Sequence, residues 1–412
     1  MSQSPAILII VVGLLVGVAP AGAGGQDRMA CSAWTGMAWV DQFNSPGLAY
    51  DRWGLTTGCR YILPADCDYW WDLGVAARAY YLNDQRIEFT GLEATFGVDG
   101  VLRGEIGHRQ AGWYGVLYGE LFLNQRFDPN VLTDFPLRES YSHNFEIDTL
   151  EISQLSVVLA RGNVEFELGR FVTPFGRYYG FSTLNNFFDI PFLRREAVLP
   201  RETGALFRWS PGIWRTTLAL TNGGPQQDTN SSKALVARLG VELQRLSFGG
   251  SVKQQDGISS EGQKEFKNHI GVDGMIRITP DILLSAEVIR DEYGLRRPGF
   301  LLDNINWGRS LYNRQLNNGL NWPLRGWGYY VNLAGRHTRL DWSLEYGEFF
   351  PDPVGDLTHD TPIQRGIGQI YWHLSPLADV FGSVVIENAI EGFEHVPRSK
   401  GVAYAGGFQV RF

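Results

Sequence analysis

The residues best suited to chemistry in this chain are arginines. Arg177, Arg194, Arg195 and Arg201 share the stretch 172–203 with Asp189, Glu196 and Glu202, four bases against three acids. Guanidinium groups gathered around a low-dielectric passage concentrate anions, because their field is little screened there. The plainer alternative is that they pair with the neighbouring acids. A second stretch, 291–326, carries Arg296, Arg297, Arg309, Arg314 and Arg325 against Asp291, Glu292 and Asp303. Bond-breaking chemistry has no comparable support. The histidines (His108, His143, His269, His337, His359, His373 and His395) are scattered, without the close spacing of a metal site. A hydrolytic Ser, His and acid would have to meet on neighbouring strands, whereas His337 and His373 read as turn and strand-end residues. No catalytic residue, metal or cofactor is expected.

The elements that must position these arginines are strands. Aromatic residues make up 13% of the chain (24 Phe, 17 Tyr, 13 Trp), and 49 of the 412 residues are Gly. Polar residues interrupt apolar ones at every second position. That suits many short strands joined by turns: a soluble sandwich or propeller, or a membrane barrel. Beyond Ala23 no apolar run approaches the roughly 18 residues of a membrane helix, which excludes a helical membrane protein. The formal charge of -8, without a basic patch, excludes nucleic acid as a partner.

Residues 6–19 are apolar and Ala21-Gly22-Ala23 are small, the pattern of an export signal cleaved after Ala23. Met1 to Pro5 departs from that pattern in having no Lys or Arg. Residues 24–71 lack sustained alternation and hold Cys31, Cys59 and Cys67. They read as an amino-terminal extension in which two cysteines can pair, most simply Cys59 with Cys67 across a short loop. The barrel domain is then 72–412.

Alternation predicts strands at Asp72–Leu82, Arg86–Val98, Val101–Asn124 (with a break at Gln110-Ala111-Gly112 as an alternative), Ile147–Ala160, Val164–Phe171, Gly204–Trp209, Ile213–Thr221 and Lys233–Leu243. It continues through Leu246–Lys253, Asn268–Ile278, Ile282–Arg290, Trp327–Arg336, Thr338–Phe349, Ile363–Leu374, Val380–Asn388 and Val402–Phe412. Short turns such as Arg161-Gly162-Asn163 and Ser210-Pro211-Gly212 alternate with long connections such as 125–146, 172–203 and 291–326. An even strand number with loop lengths segregated by end fits an up-and-down membrane barrel; a sandwich has no reason for it.

Cost decides which face points where. In Lys233–Leu243, Leu235, Ala237, Leu239, Val241 and Leu243 share one face, and Ala234, Val236, Arg238, Gly240 and Glu242 the other. An arginine facing lipid near the midplane costs about 2–4 kcal/mol, so Arg238 is expected to face the lumen. The same reasoning puts Arg208, Arg215, Asp273, Arg277, Arg336, Arg339, Asp341, Glu345 and Arg411 inside. Trp209, Trp214, Trp327, Tyr329, Trp342, Tyr346 and Tyr404 are candidates for the aromatic belts at the membrane surfaces. One conflict arises: if Glu165 and Glu167 face the lumen, Arg170 points outward unless a bulge intervenes.

Two resemblances sharpen these expectations. Tyr404-Ala405-Gly406-Gly407-Phe408-Gln409-Val410-Arg411-Phe412 resembles the closing strand of a bacterial outer-membrane β-barrel. In that family Tyr404, Phe408, Val410 and Phe412 would be the signal read by the barrel-assembly machinery. Leu168 to Gly176 (Leu-Gly-Arg-Phe-Val-Thr-Pro-Phe-Gly), Asp189 to Glu196, Arg201 to Gly204 and Trp214 to Gly223 resemble the phosphate-selective porin O and P family. The resemblance implies that 172–203 folds inward and narrows a pore, that Arg177, Arg194, Arg195 and Arg201 tune it, and that the protein is a homotrimer. It implies an outer-membrane location, with membrane lipid and lipopolysaccharide around it; lipopolysaccharide contact is a further reading of the loop arginines. Phosphate selectivity in that family rests on a lysine cluster with an arginine ladder, and this loop contains no lysine, a departure that puts phosphate specificity in doubt. The expected protein is therefore an all-β, 16-stranded antiparallel transmembrane β-barrel with short periplasmic turns and long extracellular loops. It would pass small ions or solutes passively; the alternative is a structural or adhesion barrel without a useful pore.

Overall fold

The computed structural model describes residues 31–32, 69–85, 95–126, 149–176, 201–223, 233–243, 245–258, 264–279, 281–295, 324–351, 363–375, 378–389 and 400–411. The export signal, Cys59, Cys67, Arg177, Arg194, Arg195 and Phe412 lie outside these residues, as do the side chains of Arg201, Arg336 and Arg411.

The described residues form strands only: β1 (Cys31–Ser32), β2 (Tyr69–Gln85), β3 (Thr95–Gln110), β4 (Trp113–Arg126), β5 (Thr149–Arg161), β6 (Val164–Val172), β7 (Arg201–Trp209), β8 (Trp214–Thr221), β9 (Ala234–Glu242), β10 (Leu246–Gln254), β11 (Asp256–Ile258), β12 (Lys264–Thr279), β13 (Ile282–Leu295), β14 (Leu324–His337), β15 (Leu340–Pro351), β16 (Ile363–Ser375), β17 (Ala378–Ala389) and β18 (Lys400–Arg411). The expected 16 strands differ from these 18 by the two short ones, β1 and β11. Strands β2 to β18 make one antiparallel sheet. Each long strand pairs with the next, β10 passing directly to β12 with β11 extending that ladder. The last strand pairs with β2, from Val402↔Gln85 to Arg411↔Ala76.

Two predicted boundaries move. Asp99-Gly100 has the composition of a turn, but both residues stay in register, Gly100 opposite Ala77 on one side and Leu123 on the other. The hairpin turns instead at Ala111-Gly112, with φ of 51° and 78°. Two consecutive positive φ values give the turn whose twist matches that of the flanking strands.

The pleat sorts the side chains in the opposite sense to a soluble core. Along β9, Leu235 (53% exposed) and Leu239 (54%) stand in the open while Ala234, Val236, Arg238 and Glu242 are buried. Strand β12 repeats this, with Ile270 (61%) and Val272 (63%) exposed and His269, Asp273 and Met275 buried. Exposed leucines, isoleucines and valines in cross-strand rows, with acids and bases behind them, are the pattern that suits apolar outer surroundings. The buried face also holds an apolar cluster, Tyr80, Ile367, Tyr371, Phe381, Val385, Ala403 and Ala405, contributed by β2, β16, β17 and β18.

Parity settles Arg170. The ladders of β6 with β5 and β7 continue through it without a bulge, so it belongs to the outward series with Phe166 and Leu168. Gly169 just before it has φ 131°, and a Cβ there would collide with the backbone of Leu155 and Ser156. Arg339 is a correction: it occupies the exposed turn between β14 and β15 and not an inward strand position. The predicted strand Thr338–Phe349 begins only at Leu340, so the inward parity of Asp341 does not reach back to Arg339.

Candidate functional site

The site is built where the chain leaves the sheet after β6. Pro174 has no N–H to give a neighbouring strand, so the ladder stops. Phe175 N donates to Thr173 O at 2.8 Å, a three-residue turn with proline at its centre. Gly176 then takes φ 64°, a conformation that side chains other than glycine adopt at a cost. Together these turns carry Thr173 to Gly176 off the wall, and all four residues are buried.

Their contacts lie on strands remote from β6 in the sheet order. Phe175 is 0% exposed, meets the His269 ring edge-on at 6.1 Å, and covers Gly271, where a Cβ would come within 3.0 Å of its ring. Gly176 N donates to Ser251 Oγ at 2.9 Å. A Cβ on Gly176 would overlap the Glu287 carboxylate, which accepts from Tyr330 Oη at 3.0 Å on its other oxygen. The segment therefore reaches β10, β12 and β13, bypassing the strands β7 to β9 between.

Glu202, at the start of β7, fastens the base of this segment. It accepts from Lys253 Nζ at 2.6 Å on one oxygen, and from Thr173 Oγ1 at 3.3 Å and Thr221 Oγ1 at 3.2 Å on the other. Neither side chain of the Lys253 pair is exposed. Thr203 and Asn222 close the adjoining rung: Asn222 N donates to Thr203 O at 2.8 Å, and Thr203 N to Asn222 Oδ1 at 3.3 Å.

Several other buried charges form cross-strand pairs. Arg208 bridges Glu165 and Glu167, the latter at 2.9 Å. Arg215 bonds Glu242 at 3.0 Å and also the carbonyls of Gly212 and Trp214, which braces the turn before β8. Arg238 meets Asp273 through two bonds, 2.6 and 3.3 Å; a Cβ on Gly249 would come within 2.5 Å of its guanidinium. His373 sits between Asp379 at 2.7 Å and Asp341 at 3.4 Å. Glu345 accepts from Asn332 at 3.5 Å. Buried bases among the described residues number six (Arg78, Arg208, Arg215, Arg238, Lys253 and Arg365) against ten buried acids, so the described inner face is acidic.

Of the residues singled out in the sequence, Arg208, Arg215, Arg238, Asp273, Asp341 and Glu345 are buried, and Arg277 is half-buried. Tyr404 and Phe408 are exposed and Val410 half-exposed on the outward face of β18. Arg201 lies in β7 opposite Val172. Sequence reasoning missed Phe175, Lys253, Ser251, His269 and Glu287 as partners in one place. The Pro-Phe-Gly turn was the visible signal; what it would touch was not.

No family model matches the chain, and no curated protein matches it. Solved structures do. An anion-selective porin from Comamonas acidovorans superposes with a TM-score of 0.57 at 10% identity, over 84% of this chain and 100% of the porin. OmpT, an outer membrane protein of Vibrio cholerae, gives 0.56 at 10%, over 85% and 100%. The outer membrane channel DcaP of Acinetobacter baumannii gives 0.52 at 10%, over 85% and 99%. At these identities the likeness concerns architecture, and the chain has the antiparallel all-β fold of the outer-membrane porins.

Proposed function

We propose that this protein is an outer-membrane porin, a sixteen-stranded barrel through which small hydrophilic solutes or ions diffuse down their gradients. The observation that carries this is Thr173 to Gly176, drawn off the wall and bonded to Ser251 of β10, beyond the three intervening strands β7 to β9. In an inside-out sheet, a buried segment crossing the interior is a constriction, and the chain beyond it carries Arg177, Arg194 and Arg195. The mechanism is passive: polar side chains replace part of a solute's hydration, and width and charge set preference. The fold, together with the apolar outer face, supports the location, with membrane lipid and lipopolysaccharide around the barrel. The exposed Tyr404 and Phe408 of the closing strand support handling by the barrel-assembly machinery. The export signal, the extension 24–71 and a homotrimer complete the reading. Kinship with the phosphate-selective porin O and P family rests on the segments Leu168 to Gly176, Asp189 to Glu196, Arg201 to Gly204 and Trp214 to Gly223.

Ion preference depends on two opposed features. The loop arginines favour anions, and anion selectivity is named for the Comamonas structure; the acidic excess on the described inner face favours cations. Single-channel current of the refolded protein under a salt gradient tests both. Discrete steps support the porin, and the sign of the reversal potential says which set of charges governs. A second reading, a structural or adhesion barrel, is favoured by one feature: inner-face residues such as Tyr330 and Lys253 are almost fully covered. Folded protein that never conducts would move the conclusion there.

A further inference from the structure

Arg290 breaks the apolar pattern of the outer face. In β13 the residues Leu283, Ser285, Glu287 and Ile289 are buried, so Arg290 points outward with Val288, and it is exposed. Register sets its neighbours. Val252, Ile270, Arg290, Trp327 and Phe350 form one row across β10, β12, β13, β14 and β15. Trp327 stacks on Phe350 at 4.4 Å between ring centroids. One pleat nearer the short turns the row is apolar, Val272 and Val288; one pleat nearer the long connections stand Gln254 and Asn268, with Glu292 opposite Asn268 in the register.

The level of this row in a bilayer follows from strand geometry. Eight residue steps separate Ile282 from Arg290, roughly 26 Å along the strand at about 3.3 Å each. At a tilt of about 40° that is roughly 20 Å of depth, close to the far edge of an apolar band about 25 Å tall. A stacked Trp beside a cation is what the boundary between acyl chains and headgroups favours. Here a recess of about 420 Å³ opens, lined on the outward side by Val252, Gln254, Asn268, Ile270 and Arg290.

We infer that this recess binds a phosphate-bearing lipid of the outer leaflet. The Arg290 guanidinium and the amides of Gln254 and Asn268 would receive the phosphate, with an acyl chain laid along Ile270, Val272 and Val288. A guanidinium presents five N–H donors in a fork that matches phosphate oxygens. Aliphatic side chains directly below it match a hydrocarbon tail. A free phosphate would satisfy the upper half alone, and a neutral lipid the lower half alone. The inference rests on the barrel reading.

The test is native mass spectrometry of the refolded full-length protein with bisphosphorylated lipid A, and with the same lipid after phosphatase treatment. Single-channel recording runs on the same preparations. The expected result is retained bisphosphorylated lipid on the wild type, loss of at least tenfold in Arg290→Glu, partial retention in Arg290→Lys, and unchanged conductance in both variants. Equal retention by Arg290→Glu and wild type in conducting protein overturns the site and leaves the barrel standing. Equal binding of the dephosphorylated lipid overturns the phosphate's role. Wild-type protein that does not insert at all overturns the barrel reading and the site with it.

Discussion

Lys253 of β10 and Glu202 of β7 form an ion pair of 2.6 Å with neither side chain exposed, across two intervening strands. The hydroxyls of Thr173 and Thr221 donate to the other oxygen of the Glu202 carboxylate and hold it in place. Removing one partner of such a buried pair leaves an uncompensated charge, at about 3–5 kcal/mol. Lys253→Met is therefore expected to lower the unfolding free energy by that order. It should also raise single-channel conductance, since Thr173 to Gly176 loses its fastening. Lys253→Met with Glu202→Gln should recover most of the stability. Urea unfolding of both variants in lipid vesicles checks this, and equal loss in both would contradict the pairing account.

Gly176→Ala places a Cβ against Glu287 in a left-handed backbone. Strain of this kind costs about 1–3 kcal/mol. The barrel ladder does not include this residue, so the expected effect is a displaced segment and altered conductance in a protein that still folds. Unaltered conductance would remove the segment from the pathway.

Leu239 lies in the middle of β9 and points outward. If that face meets lipid, Leu239→Arg should cost about 2–4 kcal/mol when folding is measured in bilayers. In detergent micelles, where water reaches the face more readily, the loss should be smaller. A loss near zero in bilayers would argue that β9 does not face hydrocarbon.

If the stretch 172–203 lines the passage as proposed, replacing Arg194 and Arg195 together with Glu should shift the reversal potential toward cation preference. An unchanged potential would assign ion preference to the wall acids, among them Glu287 and Asp273.

The period-two pattern determined, without any structure, which residues of β9 are buried. Side chains alternate by backbone geometry alone, and Arg238 among leucines leaves a single assignment of faces. Most turns were legible for a similar local reason: Gly162 and Gly212 both take positive φ, and glycine marks such positions in a sequence. Where two local signals competed, the pattern misled. Asp99-Gly100 looks like a turn but remains in the ladder, because pairing on both sides outweighs turn propensity. Arg339 was counted as a strand residue because alternation carries no marker of where it ceases. Only tertiary structure decided that Phe175 meets His269, that Gly176 bonds Ser251, and that Glu202 pairs with Lys253. Those partners are far apart in the chain, and no periodicity encodes them. They meet because a proline and a left-handed glycine aim one short segment across the interior, at strands whose nearness depends on the whole sheet.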